Sequence, residues 1–283
     1  MLGQLRRSPL TSVGMVTALV IVLVALLAPV LAPYNPSQPQ PTQRLQPPSF
    51  AHPMGTDELG RDILSRVLWG ARASVGAGVL VTVIAATIGL LIGSAVGYLG
   101  GWIDAVVMRM MDIILSFPSL VLAMALAAAL GPSFTSAMLA VAIVRTPLYT
   151  RLARGQALSL RERDFVRAAR TFGSSNAWII FRHILPGTLP TIVVQATLGI
   201  GEAVLIASSL SFIGLGAQPP MAEWGAMVAT GRRFLLEQWW LATFPGLAIF
   251  ITTIAFNLAG DGLRDLLDPR GVTRRGSPRE QVA

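Results

Sequence analysis

The sequence contains no cysteine and no lysine. The first absence excludes disulfides, a thiolate nucleophile and a Cys-ligated metal. The second excludes a P-loop, whose lysine must reach the β- and γ-phosphates, and a Schiff-base lysine. All 22 basic side chains are arginine. Any ATP hydrolysis that serves this protein therefore belongs to another chain. Charge is scarce as well: Asp, Glu, Lys and Arg make up 13% of the residues, where a soluble domain carries about 25%. Apolar residues make up 53% of the 283 positions, and mean hydropathy is +0.63. One core could not hide so much apolar surface from water, so lipid is the solvent. The net charge of +8 does not point to nucleic acid, because the arginines lie between apolar segments rather than on one polar face.

A bilayer core of about 30 Å takes roughly 20 apolar helical residues. Segments 11–32, 75–99, 108–130, 135–155, 189–213 and 240–260 meet that length, so the expected fold is an all-α membrane protein with about six transmembrane helices. The first segment follows Arg6 and Arg7 and is too long for a signal-peptide core, so it is read as a retained span. Eight prolines between Pro29 and Pro53 predict an extended, solvated loop after it. With the N-terminus inside, 15 of the 22 arginines fall on the inner side, which predicts both termini in the cytoplasm. The expected organisation is a cytoplasmic N-terminus at 1–10, a first transmembrane helix at 11–32 and an external Pro-rich loop with an interfacial helix at 33–73. A core transmembrane domain at 74–262 and a cytoplasmic tail at 263–283 follow. Gly76, Gly78, Gly89, Gly93 and Gly97 punctuate the second span, as expected where helix backbones approach closely in lipid.

Residues 52–72 read HPMGTDELGRDILSRVLWGAR. Ile63, Leu64, Val67, Leu68 and Ala71 share one side, with Arg61, Asp62, Ser65 and Arg66 opposite, which predicts an amphipathic helix lying on the outer face with Asp62 and Arg66 paired at i, i+4. His52 beside Asp57 lacks a fixed second ligand, so no metal site is expected.

The polar loop at 156–188 stands apart. Phe165, Ala168, Ala169 and Phe172 share a helical face, arginines decorate the rest, and Gly173 is a helix stop. Ser174, Ser175 and Asn176 offer an N-cap for a second short helix through Trp178, Ile179, Ile180 and Phe181. Pro186 and Pro190 mark the re-entry into the bilayer. One reading lays this helix pair on anionic lipid headgroups. The other docks it into a groove on a partner, which the small Ala168 and Ala169 favour.

The segment AARTFGSSNAWIIFRHILP resembles the EAA loop of ABC-importer permeases. Ala168, Ala169, Gly173, Leu185 and Pro186 stand at that pattern's spacings. Arg167 departs from its usual Glu, and His183 from its apolar position. HPMGTDELGRDILSRVLWGAR, SFIGLGAQPPMAEWGAM at 211–227 and NLAGDGLRDLLDPR at 257–270 resemble the C-type subunits of dipeptide, oligopeptide and nickel permeases. The resemblance implies a coupling loop between spans four and five, formed by Phe165, Ala168, Ala169, Phe172, Gly173, His183, Leu185 and Pro186. It implies a multi-pass subunit of a bacterial cytoplasmic-membrane importer for peptides, or alternatively for nickel or glutathione. The implied partners are a second homologous permease, two ATP-binding subunits that hold ATP and Mg, and an extracytoplasmic solute-binding protein. No cofactor or enzymatic activity is implied for this chain.

A membrane-embedded enzyme fits less well, because both histidines lie in loops and neither Gly-x-Ser-x-Gly nor HExxH occurs. A carrier driven by ions needs midplane ionisable groups, and only Arg145 and Glu202 qualify. Glu202 is open to three readings: contact with substrate in the translocation path, a cap for a partner helix, or an ion pair with Arg145. Arg109 and Asp112 are expected to pair at i, i+3. Asp261, Arg264, Asp265 and Asp268 are expected to form a charged collar after the last span.

Overall fold

The computed structural model describes residues 9–267. Arg6, Arg7 and residues 268–283 of the expected C-terminal tail lie outside the described residues, whereas residues 263–267 of that tail continue the last helix. Among the described residues there are nine helices: α1 Pro9–Leu31, α2 Ile63–Leu99, α3 Gly101–Leu115, α4 Ser119–Leu130, α5 Phe134–Arg161, α6 Asp164–Thr171, α7 Asn176–Ile213, α8 Trp224–Gly231 and α9 Trp240–Leu267, besides two single 3-10 turns. No β-strand forms among the described residues, so the expected all-α class holds.

Four of these helices are individually long and apolar enough to cross a membrane: α1, α2, α7 and α9. The expected third span, 108–130, is instead a bent pair, with α3 and α4 meeting at 92°. Pro118 causes the break, since its ring denies the helix a donor and drives Phe117 out of helical geometry. The expected fourth span lies in α5. That helix has 28 residues, but Arg145 and Arg151 make it too polar to qualify on its own. The count of six is therefore approximate.

The helix expected to lie separately at the interface does not exist as such. Residues 63–72 are the first turns of α2, which continues unbroken for 37 residues, about 56 Å. Its polar side is buried rather than solvated, because the loop at 32–62 folds over it. Asp57 receives Arg61 at 2.6 Å and Arg66 at 3.5 Å, so the expected Asp62–Arg66 pair does not form. Asp62 instead caps α2, accepting from the Ser65 amide at 2.8 Å and hydroxyl at 2.7 Å. Its other oxygen meets His52 Nδ1 at 2.9 Å, while His52 Nε2 meets Gln43 at 2.9 Å. Backbone hydrogen bonds such as Leu45 to Asp57 and Thr56 to Gln46 make this connection a folded unit, where prolines alone predicted an extended loop. The prolines remove donors from the loop but leave its other amides free to pair.

The centre of the bundle is the α2–α5 contact. Gly89, Gly93 and Gly97 bring the two backbones together; a methyl at Gly97 would stand 2.7 Å from the Arg154 carbonyl, and one at Gly93 would strike the Thr150 carbonyl. Gly93→Ala is expected to cost about 2 kcal/mol by forcing the helices apart, seen as earlier thermal unfolding of the purified protein. Gly76→Ala, where nothing lies within 4 Å, should leave unfolding unchanged. α7 packs on α2, α5 and α9, and α1 rests on α2 and α9. The outward faces of α1, among them Leu19, Leu26 and Val30, stay exposed, as lipid contact requires.

At the end of the bundle near residues 32–62, Glu223 is buried and binds three helices together. It accepts from the hydroxyls of Ser74 on α2 at 3.0 Å and Ser208 on α7 at 3.2 Å. It also caps α8 through the amides of Gly225 at 3.0 Å and Ala226 at 2.9 Å.

Candidate functional site: the hinged loop between α5 and α7

α6 sits at the opposite end of the bundle, between the ends of α5 and α7. Eight residues make one amphipathic piece of helix. It is stopped at Gly173, whose φ of +81° suits glycine alone. The Ser174 amide reaches back to the Ala169 carbonyl at 3.1 Å and the Gly173 amide to Arg170 at 3.0 Å, a paired C-terminal closure of the helix. Ser175 then caps α7 by accepting from the Trp178 amide at 3.3 Å.

The second short helix expected from the sequence is continuous with α7. Asn176 to Ile213 is one helix, loosened into a wider turn over Ile180–Ile184 just before Leu185 and Pro186. Pro186 cannot donate to the turn before it, and the widened turn accommodates that missing bond.

α6 is anchored by Val166, which is fully buried in a cluster with Tyr98 and Ala157 from α2 and α5 and Ile179 and Ile184 from α7. Tyr98 ties both sides of the hinge: its hydroxyl donates to Asn176 at 3.2 Å, and the Arg170 guanidinium lies over its ring at 5.3 Å. With Val166 turned in, the expected face divides. Ala169 is half-buried against the cluster, Ala168 and Phe172 point away from the protein, and Phe165 leaves one side of its ring exposed. Phe172 is 88% exposed. His183 stands between the rings of Phe165 at 5.6 Å and Trp178 at 5.0 Å, linking the base of α7 to α6. Leu185 is half-buried and Pro186 exposed.

Charge steadies the loop. Glu162 receives Arg167 at 2.9 Å and Arg161 at 3.1 Å. Arg167, and after it Arg161, hold the Glu162 carboxyl below the usual carboxylate range. Arg167 thus has an internal partner for the charge it brings to the Glu position of the motif. On α5, Arg154 pairs with Asp104 at 2.6 Å and Arg151 pairs with Asp112. The expected Arg109–Asp112 pair is replaced, because α5 presents Arg151 to Asp112 across the α3–α5 contact.

Deeper in the bundle, Arg145 of α5 pairs with Glu202 of α7. The third reading of Glu202 is the one the structure displays.

Residues 85–271 match the family model described as binding-protein-dependent transport system inner membrane component. The chain belongs to this family of membrane permeases. The matched span contains α6, the hinge and the whole Arg145–Glu202 region. Residues 1–48 match the N-terminal transmembrane domain of oligopeptide transport permease C. The permease is 57% identical over 267 residues to a probable D,D-dipeptide transport system permease protein of Escherichia coli K12, covering 94% of this chain and 90% of that one. It is 46% identical to a dipeptide transport system permease protein of Alkalihalophilus pseudofirmus, over 94% and 88% of the two chains. It is 45% identical to a glutathione transport system permease protein of Escherichia coli O6, again over 94% and 88%.

Sequence reading of this permease missed Val166, Tyr98 and Glu223. Val166 and Ala169 are spaced i, i+3, so a second apolar face was present beside the one chosen. Nothing local marks Tyr98 or Glu223, whose partners lie 78 and 149 residues away.

Proposed function

We propose that this chain is the peptide-translocating permease subunit of an ATP-driven importer and that α6 is its receptor for the ATPase stroke. The observation that carries this reading is the division of α6 into two faces. Val166 fixes one face to the bundle, while Phe165, Ala168 and Phe172 offer a small, rigid, apolar face to another protein. A lipid-surface helix gains from bulky apolar residues along its length. Ala168 at the middle of this face instead leaves room for close approach. A rigid element with two positions is what conversion of a distant stroke into helix movement requires.

In this reading two ATP-hydrolysing subunits, carrying ATP and Mg, bind below α6 in the cytoplasm. A second homologous permease completes the passage, and an extracytoplasmic binding protein delivers the solute. Both termini lie in the cytoplasm of a bacterial cell, and the folded loop at 32–62 faces outward. Peptide is favoured as the solute because the dipeptide permeases are so similar over nearly the full chain. Glutathione is the second reading, on the similarity to the glutathione permease.

Reconstitution of the permease with its partner subunits in proteoliposomes tests this. Uptake of a labelled dipeptide that needs both ATP and the binding protein is expected. Uptake of glutathione with no dipeptide uptake would favour the second reading, and transport by the isolated chain without ATPase would overturn both.

A further inference from the structure

Glu202 is the single carboxylate in the middle of α7, eleven residues or about 16 Å below Ile213. Its side chain is 55% exposed, whereas its partner Arg145 is 6% exposed. A carboxylate at this depth is not stable against hydrocarbon, so its open side faces water or protein. The helix continues that face upward through Leu205 and Ser209, three and seven residues on. Those residues, with Leu120, Phe212, Ile249 and Phe250, line an apolar groove of about 530 Å³. Glu202 stands one turn before Leu205 on the same face of α7, below the groove that α4, α7, α8 and α9 form.

Behind Glu202, Arg145 binds the carboxylate Oε2 through Nη1, and its Nη2 lies beside the buried Tyr149 hydroxyl where both approach Gly199 of α7. The buried guanidinium thus anchors the carboxylate from the bundle side and leaves its other side open.

Building on the peptide reading above, we propose that Glu202 is a transient site for the α-ammonium group of the passing peptide, with Arg145 as its positioning residue. Arg145 has two effects. It fixes the carboxylate at the wall of the passage, and it offsets most of its charge. A lone midplane carboxylate would trap a cation, whereas passage needs binding that is favourable enough to enter and weak enough to leave. Peptides enter as zwitterions, and above Glu202 the groove lining holds the hydroxyls of Ser208, Ser209 and Thr253 but no further carboxylate for their charged amino end.

The test uses the assembled transporter in proteoliposomes. Glu202→Gln is expected to lower dipeptide uptake about tenfold while ATP hydrolysis stimulated by loaded binding protein stays within about twofold. Glu202→Asp should restore most of the uptake. The double variant Arg145→Met/Glu202→Leu separates contact from structure. If the pair served only to hold α5 on α7, an apolar replacement would recover transport. The proposal requires that it stay as low as Glu202→Gln, and recovery to wild-type uptake would overturn it. Because the chain has no cysteine, Glu202→Cys reports access directly. A small cationic thiol reagent should label it, and dipeptide with binding protein should slow the labelling; failure to label would also overturn the proposal. Absence of dipeptide uptake by the wild-type assembly would instead overturn the peptide reading itself, and this site with it.

Discussion

Phe172→Asp should leave the permease folded and assembled in the membrane, yet lower ATP-driven uptake by about tenfold or more. Phe172 is 88% exposed, so the chain loses almost no packing of its own. The cost falls on whatever covers the ring. A buried aromatic anchor at an interface commonly contributes about 2 kcal/mol or more, and a carboxylate in its place adds desolvation without a partner. ATP hydrolysis by the partners should persist and lose its dependence on loaded binding protein. The contrasting variant is Val166→Asp. Val166 is fully buried beneath α6, so this change should detach the helix and reduce assembly itself. Uptake and ATPase rates, measured side by side with the amount of assembled complex, distinguish the two variants.

The second large effect belongs to Glu223→Leu. This carboxylate gathers donors from Ser74, Ser208, Gly225 and Ala226, and so joins α2, α7 and α8. Leucine would leave two hydroxyls and two amides buried without their acceptor. The expected loss is about 3 kcal/mol or more, visible as a lower unfolding temperature of the purified permease. Glu223→Gln keeps one acceptor but turns a donor toward other donors, so its loss should be intermediate. No direct effect on the ATPase interface is expected from either change, because Glu223 lies at the far end of α2 from Tyr98.

These two residues show what a sequence displays and what it hides. Phe172 was visible because a helical face, a glycine stop and the EAA-type spacing coincide within nineteen residues at 168–186. Glu223 was hidden because its donors come from two helices that are distant in sequence. The apolar segments were legible by length alone. The bend at Pro118 was not, since hydropathy continues through it. Ser65 and Arg66 read as a solvated face because periodicity finds faces without saying what covers them; the loop at 32–62 covers this one. On α6 the same ambiguity had a smaller consequence. Choosing between Phe165 and Val166 rotates the buried side by one residue, about 100°. The structure buries Val166 and thereby frees the larger Phe165 and Phe172 for a partner.

The most direct measurement places a photo-activatable probe on Phe172→Cys, the one thiol in an otherwise cysteine-free chain, within the assembled transporter. If α6 receives the ATPase stroke, illumination should join this chain to an ATPase subunit, and the yield should change when ATP closes the ATPase pair. Cross-links to lipid alone, in a complex that still imports peptide, would contradict the assignment of α6 as the coupling helix.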